Sequence, residues 1–182
     1  MTRQIILNGA LADNSWHLIT ADSEAALTDG TIVPLATWLA IRESASIAGK
    51  RIGVWLAPAD DPAELAGDSN EDIARLPLIA VQFPAFTDGR GYSIGRLLRE
   101  RFGFHGELRA FGDVGRDHLF NLSRCGFNAF EIKESQDPAQ AIVGLKDFSD
   151  GYQTSVERPV PMYRRRAHTP TDDSWSTGSA PS

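Results

Sequence analysis

The sequence predicts an α/β fold: parallel strands alternate with helices, as an open sheet or a half-barrel, beside a small N-terminal antiparallel β element. Three observations predict it. Four short, β-prone and largely apolar segments recur along the chain: Arg51–Ala57, Pro77–Phe83, Glu107–Phe111 and Phe127–Ile132. The last three are separated by stretches with helical spacing. Strands that alternate with helices pair in parallel through crossover connections, which places four parallel strands at the centre.

The elements follow in order. Arg3–Leu7 and Ser15–Thr20 read as strands of an antiparallel pair. Asn8-Gly9 favours a tight hairpin, but six residues separate Gly9 from Trp16, so the register stays open. Pro34 marks the start of a helix whose buried stripe is Leu35, Trp38 and Leu39, and Gly49 stops it. Asp60–Ala74 reads as one short helix broken by a loop. Ile94, Leu97, Leu98 and Phe102 share one face of the next helix, which Gly103 caps. Val114, Leu119, Leu122 and Cys125 form the apolar arc of another, with Asp113 as N-cap and Gly126 as C-cap. A last helix runs from Pro138 to about Leu145.

These elements divide the chain into residues 1–30, a β element packed on the main domain; 31–148, the α/β domain; and 149–182, an extended Pro-rich tail. The tail holds four of the ten prolines, and its composition predicts disorder from about Ala167.

Composition narrows the function classes. The 182-residue chain is 42% hydrophobic and 23% charged, ordinary values for a globular domain. No apolar run approaches the ~20 residues of a membrane span, and no export signal stands at the start, so a cytoplasmic protein is expected. The net charge of −6 argues against nucleic acid as a partner. Cys125 is the single cysteine, which excludes an internal disulfide and any CxxC redox or metal motif. No His or carboxylate spacing matches a metal site, and no cofactor fingerprint is present.

In a parallel sheet, ligands collect where the strands end, because loops and helix N-termini converge there. The loop after the second central strand, FPAFTDGRGYS, is the leading candidate. Gly89 and Gly91 would let the backbone approach a ligand, and the following helix offers unpaired amides. Arg90 adds a forked donor for carboxylate, phosphate or a sulfur oxyanion. Asp88, Tyr92 and Ser93 complete the set, with Gln82 as a polar residue in an apolar strand. The competing reading is a tight turn in which Asp88 bonds its own backbone. Glu131, near the end of an apolar strand, and Asp113 are candidate proton-transfer groups; an exposed Glu and a helix cap are their plainer alternatives. His118 fits a satisfied core histidine and Cys125 an inert packing thiol. Tyr163, Arg164, Arg165 and Arg166 form the strongest basic run, suited to an acidic partner or to solvation alone.

The stretch FPAFTDGRGYSIGRLLRERFGFHGELRAFGDVGRDHLFNLSRCGFNAFEI, with the later PVPMYRRR, resembles an uncharacterised bacterial family of unknown-function proteins. The likeness runs from about Pro77 to Arg166 and more loosely back to Pro34. FTDGRGYS and RCGF are its most specific parts. Genes of that family commonly lie beside the haem-containing subunit of assimilatory sulfite reductase, so the resemblance implies an accessory role in sulfate assimilation. It carries over no catalytic residue. Sulfite reductase or its electron donor would then be the partner, met through Arg96, Arg99 and the Tyr163–Arg166 run. Two alternatives stay open: a small enzyme or sensor that holds an oxyanion at the 86–93 loop, and a non-catalytic remnant of a larger barrel.

Overall fold

Asn8 and Gly9 both take up left-handed backbone, with φ of 50° and 76°. Two such residues in succession build the hairpin turn whose twist matches that of its flanking strands. They join β1 (Gln4–Leu7) to β2 (Ala10–Asp13), with Leu7 opposite Ala10. The antiparallel partner of β1 is therefore Ala10–Asp13, not Ser15–Thr20 as the sequence suggested. A two-residue turn leaves no slack for the longer loop.

The structure is a computed structural model that describes residues 3–20, 27–44, 47–66, 70–85 and 87–146. After β2 come β3 (His17–Leu18), β4 (Thr31–Pro34), α1 (Leu35–Ile41) and β5 (Ile52–Leu56). A 3-10 turn (Pro62–Leu65) and α2 (Glu71–Arg75) follow, two pieces where one interrupted helix was expected. Then come β6 (Leu78–Phe83), α3 (Arg90–Glu100), β7 (Glu107–Gly112), α4 (Arg116–Arg124) and β8 (Ala129–Phe130). The last helix is only α5 (Pro138–Ala141), which tightens into a 3-10 turn at Ile142–Lys146.

All eight strands join one sheet in the order β2-β1-β8-β7-β6-β5-β4-β3. The run from β3 to β8 is parallel throughout, and β1 and β2 close one side antiparallel. Six strands are thus parallel, where four were expected. The two additional strands carry local signals of other kinds. Pro34 ends β4 at an extended ψ of 153°, so the proline that signals a helix start is also the last residue of a strand. The segment around His17 pairs with β4 at the far edge instead of with β1.

That placement curls the sheet. Flat, eight strands spaced by ~4.8 Å would set the edges ~34 Å apart. Yet the chain leaves one edge at Asp13 and enters the other at His17, four Cα–Cα steps that span at most ~15 Å. The sheet is an open half-barrel. One face carries Val54, Leu56, Ile79, Val81, Phe83, Leu108, Ala110 and Phe130, covered by Leu35, Ile73, Ile94, Leu98, Leu119 and Leu122. The other, on which no described helix packs, gathers Ile32, Leu78, Ala80 and Phe111 with Trp16 and Trp55 into a smaller cluster. Leu97 departs from its expected buried stripe and is 40% exposed.

Helix α3 reaches the sheet through two glycines one turn apart. A β-carbon on Gly91 would overlap the Phe83 ring, and one on Gly95 the Phe127 ring. Phe83 in turn meets Tyr92 and Phe127 edge-on, with centroids 5.4 and 5.8 Å apart. Gly95→Ala is therefore expected to destabilise by about 1–3 kcal/mol through overpacking. Urea unfolding would show a lower midpoint at unchanged slope. Ser93→Ala, on the exposed side of the same helix, should change stability by no more than about 0.5 kcal/mol.

Candidate functional site

Because β6, β7 and β8 are parallel neighbours, the segments that follow them start from one edge of the sheet. Backbone bonds bind two of those segments together. The Asp113 amide donates to Phe83 O at 2.7 Å, Glu131 to Ala110 O at 2.9 Å and Lys133 to Val114 O at 2.9 Å. Asp113 and Glu131 thus stand on adjacent segments, each with a cationic partner. Lys133 Nζ lies 3.0 Å from Asp113 Oδ1, and Arg3 Nη1 lies 2.9 Å from Glu131 Oε1. Arg3 also donates to Ile132 O at 3.3 Å. Asp113 does not cap α4, which begins at Arg116 behind Gly115. Gln136 Oε1 accepts from the Arg116 amide at 2.9 Å, and His118 Nδ1 accepts from the Gly115 amide at 3.0 Å. His118 is 6% exposed and serves the helix start as a core histidine.

In the 86–93 loop, Arg90 is turned back on its own chain. Its Nε and Nη2 donate to the two Asp88 carboxylate oxygens at 3.0 and 2.7 Å, and its amide donates to Asp88 Oδ1 at 3.2 Å. The carboxylate of Asp88 occupies the place at the head of α3 that an external anion would take. Arg90 holds the Asp88 carboxyl below the usual carboxylate range, mainly through the side-chain hydrogen bond. Gly91 is spent on Phe83 rather than on a ligand. Tyr92 is half-buried, and burial raises its pKa; Ser93 is exposed. Gln82 stands half-buried opposite Phe111, on the helix-free face. Phe86 lies outside the described residues.

The partner-binding set divides. Arg96 is half-exposed and paired with Glu100 at 2.9 Å, one helical turn on. Arg99 is not the exposed cation expected: it donates to Gly126 O, Phe104 O, Gly106 O and Asn128 Oδ1 at 2.6–3.2 Å. A helical stripe identifies an arginine off the apolar face but does not show a neighbouring loop folding over it. That loop holds Gly126, left-handed at φ 96°, whose carbonyl faces Arg99. Cys125 is half-buried, and burial pushes its thiol pKa up. Tyr163, Arg164, Arg165 and Arg166 lie outside the described residues.

The sequence alone does not predict two hollows that the structure shows. A groove of about 630 Å³ opens at the start of β5 and β6, the opposite end of the strands from the loops above, and includes Trp38, Arg42, Lys50 and Arg75. A second cavity, about 280 Å³, lies on the helix-free face among Arg3, Asn14, Trp16, His17, Arg109 and Glu131. Its signal was present: Glu107 and Arg109 alternate with Leu108 and Ala110, so one face of that strand is charged and the other apolar.

Among the described residues no cluster of three or more His, Cys, Asp or Glu side chains could hold a metal ion. No described helix is long and apolar enough to cross a membrane. A family model for "Bacterial protein of unknown function (DUF934)" matches residues 53–163, more than half of the chain. The chain belongs to the DUF934 family. Its match starts inside β5, so the DUF934 region takes in β6, β7, β8 and the 86–93 loop, while β1 to β4 precede it. No curated protein matches the chain at a significant level.

Two outcomes follow from this geometry. In carboxyl NMR titrations Asp88 should ionise below the ordinary ~3.9 of an aspartate, and Arg90→Gln should return it there. The pair contributes stability above that ordinary value and loses it as pH falls through the lowered one. Arg90 is 62% exposed, so salt will weaken the effect. Arg99→Ala, by removing the guanidinium from three backbone carbonyls while Asn128 Oδ1 keeps the Leu108 amide, should destabilise by at least about 2 kcal/mol in urea unfolding.

Proposed function

We propose that this DUF934 protein is an accessory factor of assimilatory sulfite reduction that acts by contact with the reductase or its electron donor. The observation that carries this reading is the pairing-off of the charged side chains around the strand ends. Asp88 holds Arg90, Lys133 holds Asp113 and Arg3 holds Glu131. General acid–base or nucleophilic chemistry needs a group poised toward substrate with a matched pKa. A surface whose charges are already neutralised in pairs suits recognition better than proton transfer. The family likeness adds the direction, since it implies a gene neighbourhood with sulfite reductase. Arg96, itself paired with Glu100, stands on an exposed helix face that also carries the exposed Leu97, a polar and apolar patch that a partner can meet.

The alternative, an oxyanion held at the 86–93 loop, requires Asp88 to release Arg90 to the ligand. It draws less support from the geometry.

A deletion strain grown on sulfate, sulfite or cysteine as sole sulfur source tests the role. Rescue by cysteine with failure on sulfite is the expected result, together with co-purification of the reductase at low salt that weakens as salt is raised. Full growth on sulfate, with no association at any ionic strength, overturns the proposal.

A further inference from the structure

We infer that the groove at the start of β5 and β6 binds a small organic monocarboxylate, its flat apolar body on Trp38 and its carboxylate on Arg42. The inference does not depend on the accessory role, and the groove lies at the opposite end of the strands from the 86–93 loop.

Trp38 and Arg42 are four residues apart, one helical turn, at the C-terminal end of α1. Both line the groove and both are half-buried. The Arg42 guanidinium forms no ion pair and no hydrogen bond with any described residue. Its Nη1 is buried without an acceptor, whereas Nε and Nη2, equally unbonded, stay open to solvent. Buried donors are nearly always satisfied, so a guanidinium held partly below the surface with no protein acceptor points to one supplied from outside. The open Nε–Nη2 edge is the one whose two N–H groups run parallel and take both oxygens of a carboxylate. Arg90 grips Asp88 by this same edge, at 3.0 and 2.7 Å.

The other cations along the groove are already engaged. Arg51 Nη2 lies 2.8 Å from Asp29 and Arg75 Nη2 lies 3.4 Å from Glu71, while Lys50 Nζ donates to Leu27 O at 2.9 Å. Glu43 and Asp72 also line the groove without pairing to Arg42, and their charge disfavours a ligand that carries more than one negative charge. The rest of the wall is apolar. Trp38 packs in part on the main core, and Ile47, Leu76 and Pro77 continue the surface it lends to the groove. A volume of about 630 Å³ is ordinary for a small-molecule site and has room for a ring system with its side chain. An inorganic ion would leave the apolar wall unused.

Phenylacetate and indole-3-acetate, titrated into the full-length protein against matched chloride, test the site by NMR. Indole-3-acetamide, acetate and AMP serve as the neutral, bodiless and doubly charged counterparts. The expected result is a saturable shift of the Trp38 indole N–H and the Arg42 Nε–H with at least one of the two aromatic acids. The three counterparts should bind about tenfold or more weakly. Arg42→Gln should weaken binding of the acid by about tenfold or more. It should not lower the thermal melt, because the guanidinium has no protein partner to lose. Absence of a saturable shift with both acids overturns the inference. So does binding of the amide, acetate or AMP as tight as that of the acids, or binding that Arg42→Gln leaves intact.

Discussion

A short piece of chain, Asn14-Ser15-Trp16, joins the two edges of an eight-stranded sheet, and everything else in the fold accommodates that constraint. Three residues cannot cross a flat sheet, so the strands must curl until their edges approach. Arg109 secures the result from inside. It reaches from the central strand β7 to Asn14 on the crossing segment, and Glu107 on its own strand offsets its charge. Asn14 is fixed again by its backbone N–H, which donates to Arg3 O at 2.9 Å. Burying a guanidinium is costly unless it is paired and hydrogen-bonded. Here that expense ties together parts of the chain 95 residues apart.

The curl separates two kinds of interior. On the helix-covered side the packing is apolar and close. Phe83 sits where α3, the Gly112 turn and Phe127 converge, and glycines rather than larger residues face the rings. On the hollow side aromatic, aliphatic and polar residues mix. Trp55 meets Phe111 edge-on at 5.9 Å and donates its indole N–H to Ile19 O at 2.8 Å. Charged residues replace the aliphatic ones below them. A half-barrel therefore places a polar cavity beside a dry core without a second domain.

Local ion pairs dominate the loops around the strand ends. Asp88 with Arg90 is a two-residue pair, and Lys133 with Asp113 joins neighbouring loops. Pairs of this kind, open to solvent, add little to stability, and their effect is to fix orientation. The loops they order belong to the DUF934 region, whereas the N-terminal strands that complete the hollow lie before it. Arg3, Asn14, Trp16 and His17 all come from that preceding part, and Arg109 and Glu131 from the matched part.

The sequence by itself determined the elements whose signals are local. Periodicity marked α3 and α4, runs of β-prone residues marked β5, β6 and β7, and Asn8-Gly9 marked the hairpin turn. Gly126 was recognisable as a C-cap because φ of 96° is a demand that a single residue meets. Partners distant along the chain were not legible. Which strand β1 would pair with, that Thr31–Pro34 would be a strand, and that Arg99 would face inward depended on segments tens of residues away. The tertiary structure decided these by closing the sheet. Alternation along β7 could show that Arg109 opposes the apolar face, but only the curl turned that face into a hollow. Local propensity is a property of neighbouring residues, whereas burial, charge pairing and cavities exist only once distant strands meet.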